Sequence, residues 1–220
     1  MTCDCLQRLA QELAEPVLFD EGVEAARNAC VAGAPLASAA ITASAWYSNP
    51  LTGVPALRHC LELLLTLPLQ LPAWQTALAA RPHSETLDPA VSPGFGFCTV
   101  LQARAVLGAA QRLHGLGSDS CRSRLGFFLE HQPAIAPHSG ALNQAGLAAL
   151  VFADHGFDLD RGEREFLMLR IAPALAEAAQ ARRGGVRVFP FFSEEYRYEG
   201  TRPPVRKRNL EALMREVGLD

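Results

Sequence analysis

The run Pro133-Ala134-Ile135-Ala136-Pro137-His138-Ser139-Gly140 leads into Leu142-Asn143-Gln144-Ala145-Gly146, and then into Leu169-Arg170-Ile171-Ala172-Pro173-Ala174-Leu175-Ala176-Glu177-Ala178. Two prolines bound a turn that delivers His138, Ser139 and Gly140 to the start of a helix, and a second helix carries Arg170 among Leu167, Met168, Leu169 and Ile171. An arginine in such company calls for a buried anion or a structural carboxylate. Apolar residues recur at helical rather than alternating spacing, so the expectation is an all-α fold.

Composition agrees. The chain has 220 residues, 49% of them apolar and only 7% aromatic, with alanine and leucine dominant and β-branched residues few. That is enough to bury a core, as one compact domain or as a large lobe with a small one. Twenty basic and 23 acidic residues leave a net charge of −3, so no global field recruits nucleic acid or an anionic membrane. The local basic group Arg202, Arg206, Lys207 and Arg208 is followed by Glu211 and Glu216 and reads as a solvated helix start.

Six cysteines (Cys3, Cys5, Cys30, Cys60, Cys98 and Cys121) lack the paired spacing of a zinc site, and no histidine near Cys3 and Cys5 completes a ligand set. No metal is expected. The N-terminus lacks the apolar region of a signal peptide, and the greasy run from Leu61 to Leu71 is interrupted by Pro68 and too short to span a bilayer. A cytoplasmic protein with free thiols is the expectation.

Along the chain, three parts are expected: an N-terminal helical part over 1–92, closing in a proline-rich hinge over 68–92; a second helical region over 93–182; and an extended segment with a last helix over 183–220. Helices are expected over 4–15 behind an Asp4 cap, over 20–32 with Val23, Ala26 and Cys30 inward and Gly33 as stop, and over the small-residue run 35–47. Further helices are expected over 56–67, over 74–80, after Pro93-Gly94-Phe95-Gly96-Phe97 to Leu113, and from an Asp119 cap to His131. Asp154-His155-Gly156-Phe157 ends another, and Asp158 caps a long one through Ala181 that includes Pro173.

Three segments together resemble the citrate synthase superfamily, which includes citryl-CoA lyases. Pro93-Gly94-Phe95-Gly96-Phe97 is similar to that family's Pro-Gly-(Phe/Tyr)-Gly-His, Pro133 to Gly140 to its Pro-Asn-Val-Asp-x-(His/Tyr)-Ser-Gly, and Leu169 to Glu177 to its Arg-x-x-Gly-x-(Leu/Ile)-Ala-(Gln/His) helix. Tyr196-Arg197-Tyr198-Glu199-Gly200 resembles its late Tyr-x-Gly-Pro, so order and spacing agree over 93–200. The resemblance implies a helical fold with a large and a small lobe, a dimer, and chemistry that joins or splits a carbon–carbon bond next to a CoA thioester.

It also assigns roles. His59 takes the place of a catalytic histidine and His138 that of a His or Tyr which helps bind the acceptor, both being candidate catalytic groups; Arg170 and Arg104 take the places of carboxylate clamps, and Gly94, Phe95, Gly96, Phe97 and Asn143 line the substrate. At the family's catalytic histidine stands Phe97, and at its catalytic aspartate Ala136; neither moves a proton. Loss of a general base alone removes about 10²–10⁴-fold of rate. The expectation is therefore a degenerate, shortened family member, non-catalytic or partner-dependent, that keeps a CoA-thioester or carboxylate site. The alternative is an active enzyme of citrate synthase or citryl-CoA lyase type in which His59, His138 or His155 replaces the lost groups. No cofactor is expected beyond CoA or acyl-CoA as ligand. The expected partners are a small carboxylate or acyl-CoA, and a second copy or an intact homologue in a homodimer or hetero-oligomer, with neither nucleic acid nor membrane.

Overall fold

The computed structural model describes residues 2–14, 20–49, 52–79, 100–115, 123–139 and 141–184. Among them are nine helices: α1 (Thr2–Ala14), α2 (Glu21–Val31), α3 (Leu36–Tyr47), α4 (Val54–Thr66), α5 (Leu71–Ala79), α6 (Val100–His114), α7 (Arg124–Ser139), α8 (Gln144–Asp154) and α9 (Leu159–Gly184). No strand occurs among the described residues, and no described helix is long and apolar enough to cross a membrane. The all-α expectation holds. The boundary expected near 92, the glycine-rich entry 93–97 and everything from 185 onward lie outside the described residues.

Helix ends follow local chemistry. Asp20 caps α2 by accepting the N–H of Val23 at 3.0 Å, Asn143 caps α8 by accepting that of Gly146 at 2.9 Å, and Asp158 accepts that of Arg161 at 2.7 Å. Gly33 and Gly156 take positive φ values of 95° and 67° just beyond α2 and α8, the conformation a helix stop requires. The expected Asp4 cap is corrected, because α1 already begins at Thr2 and Asp4 lies inside its first turn.

A larger correction concerns 133–140. The expected proline-bounded turn is helix: α7 runs through both Pro133 and Pro137 to Ser139. Each proline forgoes one backbone N–H bond, a cost of about 3 kcal/mol in a helix interior. Tertiary packing offsets it, since Ile135 is fully buried and Gln75 of α5 donates to the Ala134 carbonyl at 3.2 Å. At the other end of α7, Ser123 accepts the N–H of Gly126 at 2.9 Å, and Asp154 accepts those of Arg124 and Leu125 at 2.7 and 3.1 Å. The cap expected at Asp119 lies outside the described residues, and α7 as described is capped by Ser123 and by Asp154, thirty positions beyond Arg124.

Two apolar clusters organise the packing. The larger joins α1 and α4 to α8, around Leu9, Leu57, Leu61, Trp74, Phe128 and Phe152, with Phe166 of α9. The smaller joins α2, α3 and the second half of α9 through Ala26, Ala39, Ala43, Ala174 and Ala178 with Cys30 and Tyr47. Small side chains let these three helices approach closely. α8 is buried from Ala145 to Ala153, and α5, the first helical part of the 68–92 stretch, packs on α7.

Candidate functional site

The candidate site lies where α2, α3, α6, α8 and α9 converge on Arg170. Its side chain is only 8% exposed, and its Nη2 donates to Asp20 Oδ2, while Nη1 donates to the Leu13 carbonyl at 3.3 Å. The other Asp20 oxygen, Oδ1, accepts the Tyr47 hydroxyl at 3.2 Å in addition to the Val23 N–H. The guanidinium carbon of Arg170 stands 5.0 Å from the Tyr47 ring centroid. One carboxylate therefore serves three donors from three elements.

Electrostatics follow from burial. Removal from water pushes the Arg170 guanidinium down to about 10, so it still carries its charge at neutral pH. Burial, aided by the negative charge of Glu21, pushes the Tyr47 phenol up, which keeps it a hydrogen-bond donor over the whole working range. Next to Tyr47, Gly22 is required sterically: a Cβ there would come within 2.5 Å of the ring.

Beside this pair is a cavity of about 40 Å³, lined among others by Asp20, Tyr47, Asn143, Gln144 and Arg170. At about 10–15 Å³ per water it has room for a few solvent molecules. A second cavity, of about 260 Å³, lies between α1, α6 and α8, with Arg104, Gly108 and Arg112 along its α6 wall. Val106 and Gln144 line both. The Gln144 amide nitrogen is buried without a hydrogen-bond partner.

The expected site residues distribute unevenly over this frame. Arg170 and Asn143 meet at the first cavity, although Asn143 spends its side-chain oxygen on capping α8. Arg104 is exposed and belongs to the second. His59 is half-buried on α4 and lines neither, and its neighbour Arg58 pairs with Asp160 and Glu163 at 3.1 and 2.6 Å. His138 stands in the last turn of α7 with its side chain outside the described residues, as are Gly94, Phe95, Gly96 and Phe97 entirely. Ala136 is on α7, half-buried. Among the described residues no group of three or more His, Cys, Asp or Glu side chains is placed to hold a metal; the Cys3 and Cys5 side chains are outside them. Sequence reasoning missed Asp20 and Tyr47 as partners of Arg170. No local signal marks them, since Asp20 reads as a helix cap and Tyr47 as the aromatic end of a helix of small residues.

No family model and no curated protein matches the sequence. Among solved structures, the chain is similar to citryl-CoA lyase from Hydrogenobacter thermophilus, with a TM-score of 0.52 and 18% identity over 96% of this chain and 82% of that one. The fold is citrate synthase-like. At 18% identity the likeness is one of architecture, and the arrangement around Arg170 and Asp20 has to be read from this chain's own residues.

Proposed function

We propose that this chain is a citrate synthase-like protein that binds a carboxylate or acyl-CoA ligand and does not, on its own, make or break a carbon–carbon bond next to a CoA thioester. The observation that carries the reading is the absence of acid–base chemistry where the resemblance calls for it. The residue at the aspartate position is Ala136, and the candidate histidine His59 lies away from both cavities. General acid–base catalysis needs its group within hydrogen-bond reach of the proton it moves, and a methyl group offers none. Arg170 adds to the argument: its charge is already matched by Asp20, so it is not a vacant clamp.

In this reading the protein works as a homodimer or beside an intact homologue that supplies the missing groups. The test is a thermal-shift series with acetyl-CoA, CoA, citrate and oxaloacetate, combined with assays of CoA release and citryl-CoA cleavage. Stabilisation without turnover is the expected result; a ligand at a hundred times its dissociation constant adds about 2.7 kcal/mol. Turnover by the purified chain that is lost in His59→Ala or His138→Ala would overturn the non-catalytic reading.

A further inference from the structure

Beside Arg170, three donors converge on one carboxylate, and that carboxylate is part of the chain. The Arg170 guanidinium of α9, the Tyr47 hydroxyl of α3 at 3.2 Å and the Val23 N–H of α2 at 3.0 Å all donate to Asp20. A guanidinium, a hydroxyl and a backbone N–H at a helix start are the donor types by which proteins hold a free carboxylate or phosphate. The Asp20 and Arg170 side chains are only 7% and 8% exposed, so water scarcely competes for either.

The surroundings differ from those of an ion pair enclosed in hydrocarbon. Next to the carboxylate is unfilled space of about 40 Å³, and Thr52, Gln102 and Asn143 bring neutral polar side chains to its wall. Space and neutral polar groups beside a charge are features of a ligand pocket. Gly22 helps to seat Asp20 there: with no Cβ, it lets the start of α2 approach the Tyr47 ring, which a Cβ would meet at 2.5 Å. A carboxylate tethered in place also has little translational freedom left to lose, whereas a free one loses it on binding. An external acid is therefore at a disadvantage against Asp20.

We propose that Asp20 is an intramolecular ligand: its carboxylate fills an anion subsite made by Arg170, Tyr47 and the start of α2, and closes that subsite to external carboxylates. The proposal rests on the carboxylate-binding reading for the class of ligand, and it assigns the anion that Arg170 holds.

The test removes the tethered anion and returns it free. Asp20→Gly deletes a CH2COO⁻ group that acetate replaces almost atom for atom, and glycine is well accepted at an N-cap. Calorimetric titration and thermal melting of the full chain compare acetate with acetamide and with sodium chloride at equal ionic strength. Acetate should bind Asp20→Gly at least about tenfold more tightly than wild type, the lower end of what a charged hydrogen bond contributes. At a hundred times its dissociation constant it should raise the melting temperature of that variant by about 5–10 °C. Acetamide and chloride should do neither. Adding Tyr47→Phe to Asp20→Gly should weaken acetate binding about two- to tenfold, and adding Arg170→Met should abolish it. Where Asp20→Gly does not fold in chloride, recovery of its helical circular dichroism in acetate, and not in acetamide, is the same result.

Acetate that neither binds nor restores Asp20→Gly overturns the proposal. So does acetate that binds wild type, or the double variant with Arg170→Met, as tightly as Asp20→Gly. If the proposal fails in one of these ways while citrate or acetyl-CoA still stabilises wild type, the carboxylate-binding reading stands. If acetate restores Asp20→Gly while no carboxylate or CoA thioester binds wild type, the subsite filled by Asp20 stands and that reading falls.

Discussion

The two apolar clusters of this fold hold together by different means. The larger is filled by leucine and aromatic side chains, with Phe152 stacked on Phe157 at 5.0 Å and Trp74 against Phe127 at 5.2 Å. The smaller is lined mostly by alanine and buries far less per residue, yet it contains the one fully buried ion pair among the described residues, Arg170 with Asp20. Where side chains are large, burial itself stabilises the packing, at about 25 cal/mol per Å² of apolar surface. Where they are small, helices come close enough for a single carboxylate to tie three of them together, and specificity of register comes from polar contacts.

The sharpest way to break that contrast is Arg170→Met. It leaves the Asp20 carboxylate buried without its cation and should cost about 3–5 kcal/mol in urea denaturation. Combining it with Asp20→Asn should recover much of the loss, since the isolated charge is then gone. Phe166→Ala in the larger cluster should cost a similar amount by leaving a cavity, and no second substitution of a charged residue should restore it. If Arg170→Met costs less than about 1 kcal/mol, the ion pair is not what orders the alanine-lined helices.

A smaller effect is expected from Gly22→Ala. The added methyl meets the Tyr47 ring at 2.5 Å, and the strain, about 1–3 kcal/mol as for other overpacked sites, should be largely relieved in Gly22→Ala with Tyr47→Leu. Thermal melting of the single and double variants checks this.

The smallest is a pH effect in the larger cluster. The Arg112 bond holds the Glu12 carboxyl below its ordinary value of 4.5, so its contribution is present above that pH and is lost as pH falls through the folded-state value. Asp154 works in the opposite sense: burial raises its pKa above 3.8 despite two backbone N–H bonds, so its contribution is fully present below that value and is lost as pH rises through the folded-state one. Glu12→Gln should therefore flatten the acid side of the stability profile, while Asp154→Asn should steepen it.

Much of this architecture was legible in local residue chemistry. Asp20, Asp158, Gly33 and Gly156 mark helix ends that a side-chain acceptor or a positive φ dictates without any tertiary information. Pro133 and Pro137 misled for the converse reason: their local cost is real, and only the burial of Ile135 and the contact with Gln75, both remote in sequence, override it. At the candidate site, the need of Arg170 for a buried anion could be read from its apolar neighbours. That the anion is Asp20, 150 positions away, could not, because nothing in Asp20's own surroundings distinguishes a cap from a counter-ion. Asn143 likewise combines a capping bond with a place on a cavity wall, and sequence patterning exposes only one such role at a time.

Helix α9 passes from one cluster to the other, with Phe166 in the first and Ala174 and Ala178 in the second, and Pro173 sits between them. Proline lacks its own N–H and so removes one of the backbone bonds that span that point of the continuous helix, which weakens α9 between the two clusters. α2 and α3 pack on each other and both pack on α9. The α2–α3 hairpin and the last three turns of α9 are therefore expected to open together, and hydrogen exchange that gives them unequal protection would exclude this.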